Sequence, residues 1–286
     1  MNMQLSKHSA SFNDEIVEYT RKQYNDFKDY QVLAINTLQE IHRICEQHNI
    51  VYYLAFGSLL GAIRDGGQIP WDYDIDILVP YKYHDDLLKL LDTDLSDGYH
   101  YETRFRSNDC RHYTVRVAPK GYDCAILHVD IFWLIGEDSD PKLQKKHFHT
   151  RQLFYKSMIY KHPIRADVGE LSIIGSIKRI IKFFKYYIIP EKLLESKYLR
   201  LLNEDFDSSE FCTYNGRNLN LFRSEWFGTP QVFTTVDGIK LYIPEDYDRI
   251  LRSTYGDYMK IPDIKKRINE FQKSLVRLEL YSRSGM

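Results

Sequence analysis

Between about Tyr24 and His48 the chain places Val32, Leu33, Ile35, Leu38, Ile41 and Cys45 at helical spacing with charged residues between them, a pattern that predicts an amphipathic helix. The period then changes. Val51 to Phe56 is rich in β-branched and aromatic residues and predicts a strand that runs into a Gly57-Ser58 turn, with a short helix over Leu59 to Arg64 behind it. Past the Gly66-Gly67 break, Ile69-Pro70-Trp71 leads into a strand of alternating character from Asp72 to Val79, and Lys82 to Leu91 reads as a helix. Further strands are expected at His112 to Val117 and Ala125 to Leu134, and helices at Leu171 to Ile189 and Lys192 to Asn203. Asp237-Gly238 marks a hairpin, and helices are expected over Glu245 to Thr254 and Lys265 to Tyr281. The order predicts an α/β (α+β) protein, a mixed sheet with flanking helices and a helical C-terminal extension, with no internal repeat or low-complexity linker.

With 43% hydrophobic and 28% charged residues, a chain of 286 residues can bury a substantial core as one large domain or as a domain with an appended lobe. Lys and Arg number 39 against 40 Asp and Glu, so no chain-wide field draws in nucleic acid, and no nucleic-acid partner is expected. The plentiful Tyr and Phe are read as packing the core and its margins. Cys45, Cys110, Cys124 and Cys212 are widely spaced without a CxxC pair, which argues against a zinc knuckle or a disulfide framework and for reduced thiols in a cytoplasm. Met1 to Asp14 is polar and unlike a secretory signal, and no stretch reaches the roughly 18 apolar residues of a membrane span. One segment changes the picture. Over 173–189, Ile173, Ile177, Ile180, Ile181, Phe184 and Ile188 share a helical face, and Lys178, Arg179, Lys182 and Lys185 lie largely opposite. Such a helix suits the surface of an anionic membrane, although an ordinary core-packed helix with a solvated basic face has the same pattern.

In an extended strand alternate residues point to one side, so Asp72, Asp74 and Asp76 would share a face while Tyr73, Ile75 and Ile77 share the other. Like charges crowded in this way call for a cation, and hard oxygen donors suit Mg²⁺ or Mn²⁺. A solvated loop fits poorly with the apolar residues on both sides, and an EF-hand is excluded because Ile77 and Tyr83 stand where it needs Gly and Glu. Asp130, within Leu127-His-Val-Asp-Ile-Phe132, either lies on an exposed strand face or completes the cluster on a neighbouring strand, where it would also accept a proton from an acceptor hydroxyl. Upstream, Gly57 permits close backbone approach, and the Ser58 hydroxyl with nearby amides can hold a phosphate.

The segment Phe56-Gly-Ser-Leu-Leu-Gly-Ala-Ile-Arg64, followed by Gly67-Gln-Ile-Pro-Trp-Asp-Tyr-Asp-Ile-Asp76, closely resembles the LicD family. Its members carry a Gly-Thr-Leu-Leu-Gly-Ala-hydrophobic-Arg stretch and an Ile-Pro-Trp-Asp-Asp-Asp-Ile-Asp motif, and its eukaryotic relatives include fukutin and the fukutin-related protein. Here Ser58 stands in place of Thr, and Tyr73 replaces the middle Asp of the triplet, on the side away from the proposed ligands. The likeness continues at Val129-Asp-Ile-Phe132, at Ile243-Pro-Glu-Asp-Tyr247 and over Leu251 to Pro262, so it covers roughly residues 30–270.

The resemblance implies a nucleotidyltransferase-like core, here placed at 26–165 after a polar segment 1–25, with the basic amphipathic segment at 166–205 and a completing part at 206–286. It implies transfer of a phosphorylated head group, typically phosphocholine from CDP-choline, to a hydroxyl of a surface glycan such as lipopolysaccharide, capsule or teichoic acid, with release of CMP. Asp74, Asp76 and Asp130 are then the catalytic and metal-binding residues, and Gly57, Ser58, Arg64, Trp71, Asp72 and Arg116 the substrate-binding ones. Arg64 has a structural reading beside the phosphate-binding one, and Trp71 either stacks on a base or quaternary ammonium or packs beside Pro70. For Tyr255-Gly256-Asp257 the residues themselves give a helix-ending glycine with packed aromatics. A glycan or lipid-linked glycan acceptor would place the protein in the cytoplasm, peripheral at the inner face of the cytoplasmic membrane. Two alternatives stay open: a metal-dependent glycosyltransferase using a nucleotide sugar, and a non-catalytic binding member of the family.

Overall fold

The computed structural model describes residues 4–107, 110, 112–161, 173–188, 190–216 and 220–284; for 4–24, 159, 161, 173–179, 276, 277 and 279–284 the backbone alone is described. The expected boundary at 165/166 lies outside these residues. The first helix, α1, spans Gln4–Gln47 and packs against strands at the centre of the sheet. Its buried stripe is Phe27, Gln31, Ala34, Leu38, Ile41 and Cys45, alternately four and three residues apart. Val32, assigned to that stripe from the sequence, is 54% exposed. Full burial of each large apolar member contributes about 1.5–3 kcal/mol. The one polar member, Gln31, has a separate task at the site.

Strand β1 is only Tyr53–Leu54, because the Ala55 N–H already donates to Asp76 O at 3.0 Å and Phe56 opens the next helix. That helix, α2, spans Phe56–Asp65, so Gly57 and Ser58 lie in its first turn and not in a turn ahead of it. Phe56 takes a left-handed backbone with φ 46°, a strained setting for a bulky residue, and its ring packs on Phe132 and Tyr214. Strand β2 is Ile75–Pro80, later than expected: the Asp72 N–H bonds back to Ile69 O at 3.0 Å and closes a turn, leaving Asp72 and Asp74 in the approach to the strand.

After a 3-10 turn at Tyr81–Tyr83 come α3 (His84–Thr93), β3 (Tyr99–Glu102), β4 (Val115–Pro119) and β5 (Val129–Glu137). The sheet order is β1-β2-β5-β4-β3, parallel at β2/β5 and antiparallel elsewhere. The second half of β5 pairs with β6 (Phe211–Tyr214), which pairs in turn with β7 (Phe222–Arg223). Ile75, Ile77, Val115, Val117, Val129 and Ile131 are buried on one side of this mixed sheet, and the alternate residues carry the charges described below. Neither β3 nor α4 (Pro141–Lys161) was anticipated from the sequence. Helix α4 lays Arg151 beside Glu137 of β5, an ion pair of 2.8 Å in which both side chains are 1% exposed, with His147 donating to the same carboxylate.

Helices α5 (Ile173–Tyr187) and α6 (Glu191–Leu202) follow α4, with Tyr186 stacked on Tyr160. The outer side of α5 is apolar and open to solvent: Ile180, Ile181, Phe184, Tyr187 and Ile188 are 55–81% exposed. Tyr186 of the same helix is buried, 8% exposed. Among the described residues no helix is long and apolar enough to cross a membrane. The hairpin expected at Asp237-Gly238 joins β8 (Gln231–Thr234) to β9 (Lys240–Ile243), with Gly238 at φ 81°. Two helices close the chain, α7 (Tyr247–Tyr255), ended by Gly256 at φ 68°, and α8 (Ile264–Ser284).

Candidate active site

Four charged residues form a row across one face of the sheet. Asp76 of β2 is in register with Asp130 of β5, Asp130 with Arg116 of β4, and Arg116 with Glu102 of β3. Residues opposite one another on adjacent strands project to the same side, about 4.7–4.9 Å apart along the row. Arg116 Nε donates to Asp130 Oδ1 at 3.0 Å, and His128 Nε2 meets Asp130 Oδ2 at 3.0 Å. Burial pushes the Asp130 carboxyl up, but Arg116 and His128 outweigh it and hold the group well below the usual carboxylate range. Asp130 is therefore not on an open strand face: its oxygens are engaged and it stays ionised.

At the left end of the row the other acidic residues converge. The Asp72 carboxyl shares a hydrogen bond with that of Asp74, and burial together with Asp74 raises its pKa to about 8. Asp76 is pushed well above its ordinary value by burial first and then by Asp74, Asp130 and Asp72. The structure thus brings Asp72, Asp74 and Asp76 together, as the alternation argument expects, although the strand starts only at Ile75. Tyr73 points the other way, 3% exposed and edge-on to Phe27.

Local structure fixes these groups. The Asp76 N–H donates to Ser58 Oγ at 2.8 Å, which ties the first turn of α2 to the start of β2. Gly57 lies against Asp72, where a Cβ would stand 3.3 Å from Oδ2. Gln31 Nε2 reaches from α1 to Ile69 O at 3.0 Å and Asp72 O at 2.5 Å, clamping the turn from behind. A glutamine in an otherwise apolar stripe was the available signal for this residue, and the sequence reading missed it.

Arg64 and Trp71 are engaged with each other. Arg64 is 4% exposed, pairs with Asp65 at 2.7 Å, and sets its guanidinium 5.5 Å from the centre of the Trp71 ring. Arg267 of α8 approaches the same ring at 5.7 Å. An indole flanked by two cations is a poor platform for a further quaternary ammonium, which favours the packing alternative for Trp71. Tyr255, at the end of α7, stands in the field of Asp76, Asp72, Asp74 and Arg64, and burial and the carboxylates push its hydroxyl up to about 12. The Gly256 stop therefore has a use: it leaves Tyr255 as the last helical residue beside the acidic cluster. Two clefts of about 390 and 550 Å³, flanking Lys82, lie at the far end of β2 from these carboxylates.

A sheet that sets carboxylates from adjacent parallel strands beside the first turn of a short helix is suited to holding a phosphate through a divalent cation. The comparisons agree. The family model described as LicD/FKTN/FKRP, nucleotidyltransferase domain, matches residues 49–166. The lipopolysaccharide cholinephosphotransferase LicD of Haemophilus influenzae is 27% identical over 252 residues, 82% of this chain and 92% of that protein. The human ribitol 5-phosphate transferase FKRP is 46% identical over 41 residues, 14% of this chain and 8% of that protein. A Rickettsia prowazekii protein, RP689, described as uncharacterized, is 31% identical over 74 residues, 26% of this chain and 28% of that protein.

Proposed function

We propose that the chain transfers a phosphorylated head group from a CDP-linked donor, CDP-choline first among them, to a hydroxyl of a surface glycan, with CMP as the leaving group. The observation that carries this reading is the convergence of Asp72, Asp74 and Asp76 on Asp130, with Asp72 and Asp76 pushed toward protonation by their crowding. Such a set of hard oxygen donors fits Mg²⁺ or Mn²⁺, with Asp74, Asp76 and Asp130 as the holding residues. When bound, the ion would neutralise the donor diphosphate and the charge growing on the departing CMP.

The chain's own groups have separable parts. The first-turn amides of α2, at Gly57 and Ser58, lie at a helix N-terminus beside Asp72 and Asp76 and suit a phosphate oxygen. Ser58 also holds the Asp76 backbone in place. Arg116 keeps Asp130 ionised and oriented, and the same guanidinium offers its remaining N–H groups to a phosphate. A carboxylate held so far below its usual range is a weak proton acceptor, so we assign Asp130 to charge neutralisation rather than to general base catalysis. Transfer of this type depends mostly on positioning and electrostatics, and a strong base adds little to it. Arg64 acts by fixing Trp71 and the α2 end.

The exposed apolar side of α5, with Lys182 and Lys185 beside it, supports peripheral contact with an anionic membrane that carries a lipid-linked acceptor. The LicD and FKRP relatives favour head-group transfer over the glycosyltransferase alternative, since one is named for phosphocholine and the other for ribitol phosphate. The test is a panel of CDP-linked choline, ethanolamine, glycerol and ribitol donors with CMP release and the acceptor mass as readouts. One phosphocholine should be added with Mg²⁺ or Mn²⁺, and Asp74→Asn or Asp76→Asn should remove the product while the fold persists. A cytidylyl adduct, or near-normal turnover in either variant, would overturn the reading.

A further inference from the structure

Beyond the acidic cluster, the right-hand end of the charged row gathers a second and chemically different set of donors. Glu102 ends β3, and Cys110 and His112 lie in the connection to β4; one carboxylate oxygen, Sγ and Nε2 all lie within 4.8 Å of one another. His112 Nε2 is 3.3 Å from Cys110 Sγ and 3.3 Å from Glu102 Oε1. The other ring nitrogen, Nδ1, is 3.0 Å from Thr114 O, a carbonyl that can only accept. Nδ1 therefore donates to that carbonyl, with the Thr114 hydroxyl also 3.0 Å away, and Nε2 is the nitrogen turned to the thiol and the carboxylate. Donation of the second ring N–H to a backbone carbonyl is how a metal-binding imidazole is normally oriented.

The two separations made by His112 fit one ion. With Zn–S near 2.3 Å and Zn–N and Zn–O near 2.0–2.1 Å, tetrahedral ligands stand roughly 3.4–3.6 Å apart, close to both of the distances seen here. The donor types fit as well, since a thiolate, an imidazole and a carboxylate suit zinc and are a poor set for Mg²⁺. Three protein ligands leave a fourth position for water. We infer that Glu102, Cys110 and His112 form a binding site for one zinc-class divalent cation. The site joins the end of β3 to the connection that precedes β4, and so braces the strand that carries Arg116. It is separate in residues and chemistry from the carboxylates of Asp72 to Asp76, and it stands whether or not the proposed reaction is right.

The competing account is a proton in place of the metal, with a charged His112 bridging Glu102 and Cys110. Metal-stripped full-length protein titrated with ZnCl₂ and with CoCl₂ separates the two. The expected result is a single equivalent bound, a thiolate-to-cobalt charge-transfer band, and a higher unfolding midpoint with zinc. Cys110→Ser, His112→Gln and Glu102→Gln should each weaken zinc by at least about 100-fold and Cys110→Ser should abolish the band. Asp74→Asn should retain both. If one variant fails to fold, the remaining two and the wild-type band still decide. Absence of saturable binding at micromolar zinc, or a band that survives in Cys110→Ser, would overturn the site.

Discussion

A single methyl group placed on Gly61 tests how the site is held. An ideal Cβ there would lie 2.5 Å from Gly67 O and 2.8 Å from Ile69 N, both backbone atoms, where ordinary contact begins at 3.4 Å. The loop must therefore retreat by about 0.9 Å at its tightest point. Overpacking of this kind costs about 1–3 kcal/mol, and the better helix propensity of Ala returns about 0.5–1 kcal/mol, so Gly61→Ala should lose about 0.5–2 kcal/mol. The effect on turnover should be larger in proportion. The displaced loop bears Asp72 and leads into Asp74, and a misplacement near 1 Å costs on the order of 100-fold. Gly67→Ala is the matched control, because nothing lies within 4 Å of its Cβ. Urea denaturation and CMP release, measured on both variants, check the two halves of the argument. If Gly61→Ala unfolds and turns over like wild type, close packing of this loop on α2 is not what positions the carboxylates.

Other expectations follow from the same geometry. Glu40 accepts hydrogen bonds from Arg43, opposed by burial, and from Ser96, and its pKa falls from 4.5 to about 2. Its folded value lies below the unfolded one, so its stabilisation is full above about pH 4.5 and is lost as pH falls toward 2. Glu40→Gln should lower stability at neutral pH and flatten the acid limb between those values, read by thermal melts across pH; an unchanged limb would contradict the assignment. Arg151→Met should cost about 3–5 kcal/mol by stranding the buried Glu137, and Glu137→Gln in the same chain should recover much of it in urea melts. Lys182→Gln with Lys185→Gln should weaken binding to anionic liposomes by about 2 kcal/mol, near 30-fold, and Phe184→Ser with Ile188→Ser should weaken it further. Equal sedimentation of wild type and both variants would sink the membrane contact.

The legible part of the site was carried by local pattern. Alternating Asp residues beside Ile77-Leu78-Val79, a Gly-Ser pair ahead of them and a lone Asp130 in an apolar run all sit within short windows, and the fold keeps them together. The illegible part depends on distant partners. Gln31 acts on Asp72 across 41 positions, and Tyr255 comes into the field of Asp76 only because α7 returns to α2. Strand β3 was hidden because its side chains are all half-buried and show no clean alternation, and α4 because its apolar residues are spread around the helix. The late start of β2 reflects a backbone bond from Asp72 to Ile69 that no period of hydrophobicity encodes. For Trp71 the sequence leaves stacking and packing beside Pro70 both open, because one of its two arginine neighbours, Arg267, is nearly 200 positions away.

The in-register row from Asp76 to Glu102 ties assembly of the chemistry to assembly of the sheet. Side chains alternate along a strand, so a slip of one residue in the β2/β5 pairing would set Ile75 or Ile77 opposite Asp130. The same slip would turn one strand's apolar set outward, at a cost of several buried side chains, so the misaligned sheet is excluded by the core itself. A folding chain therefore has no way to bring Asp130 to the other carboxylates before β2 and β5 are zipped correctly, and no way to zip them correctly without doing so. Recovery of activity during refolding would consequently serve as a clock for strand alignment, ticking only when the last mismatched pairing has been corrected.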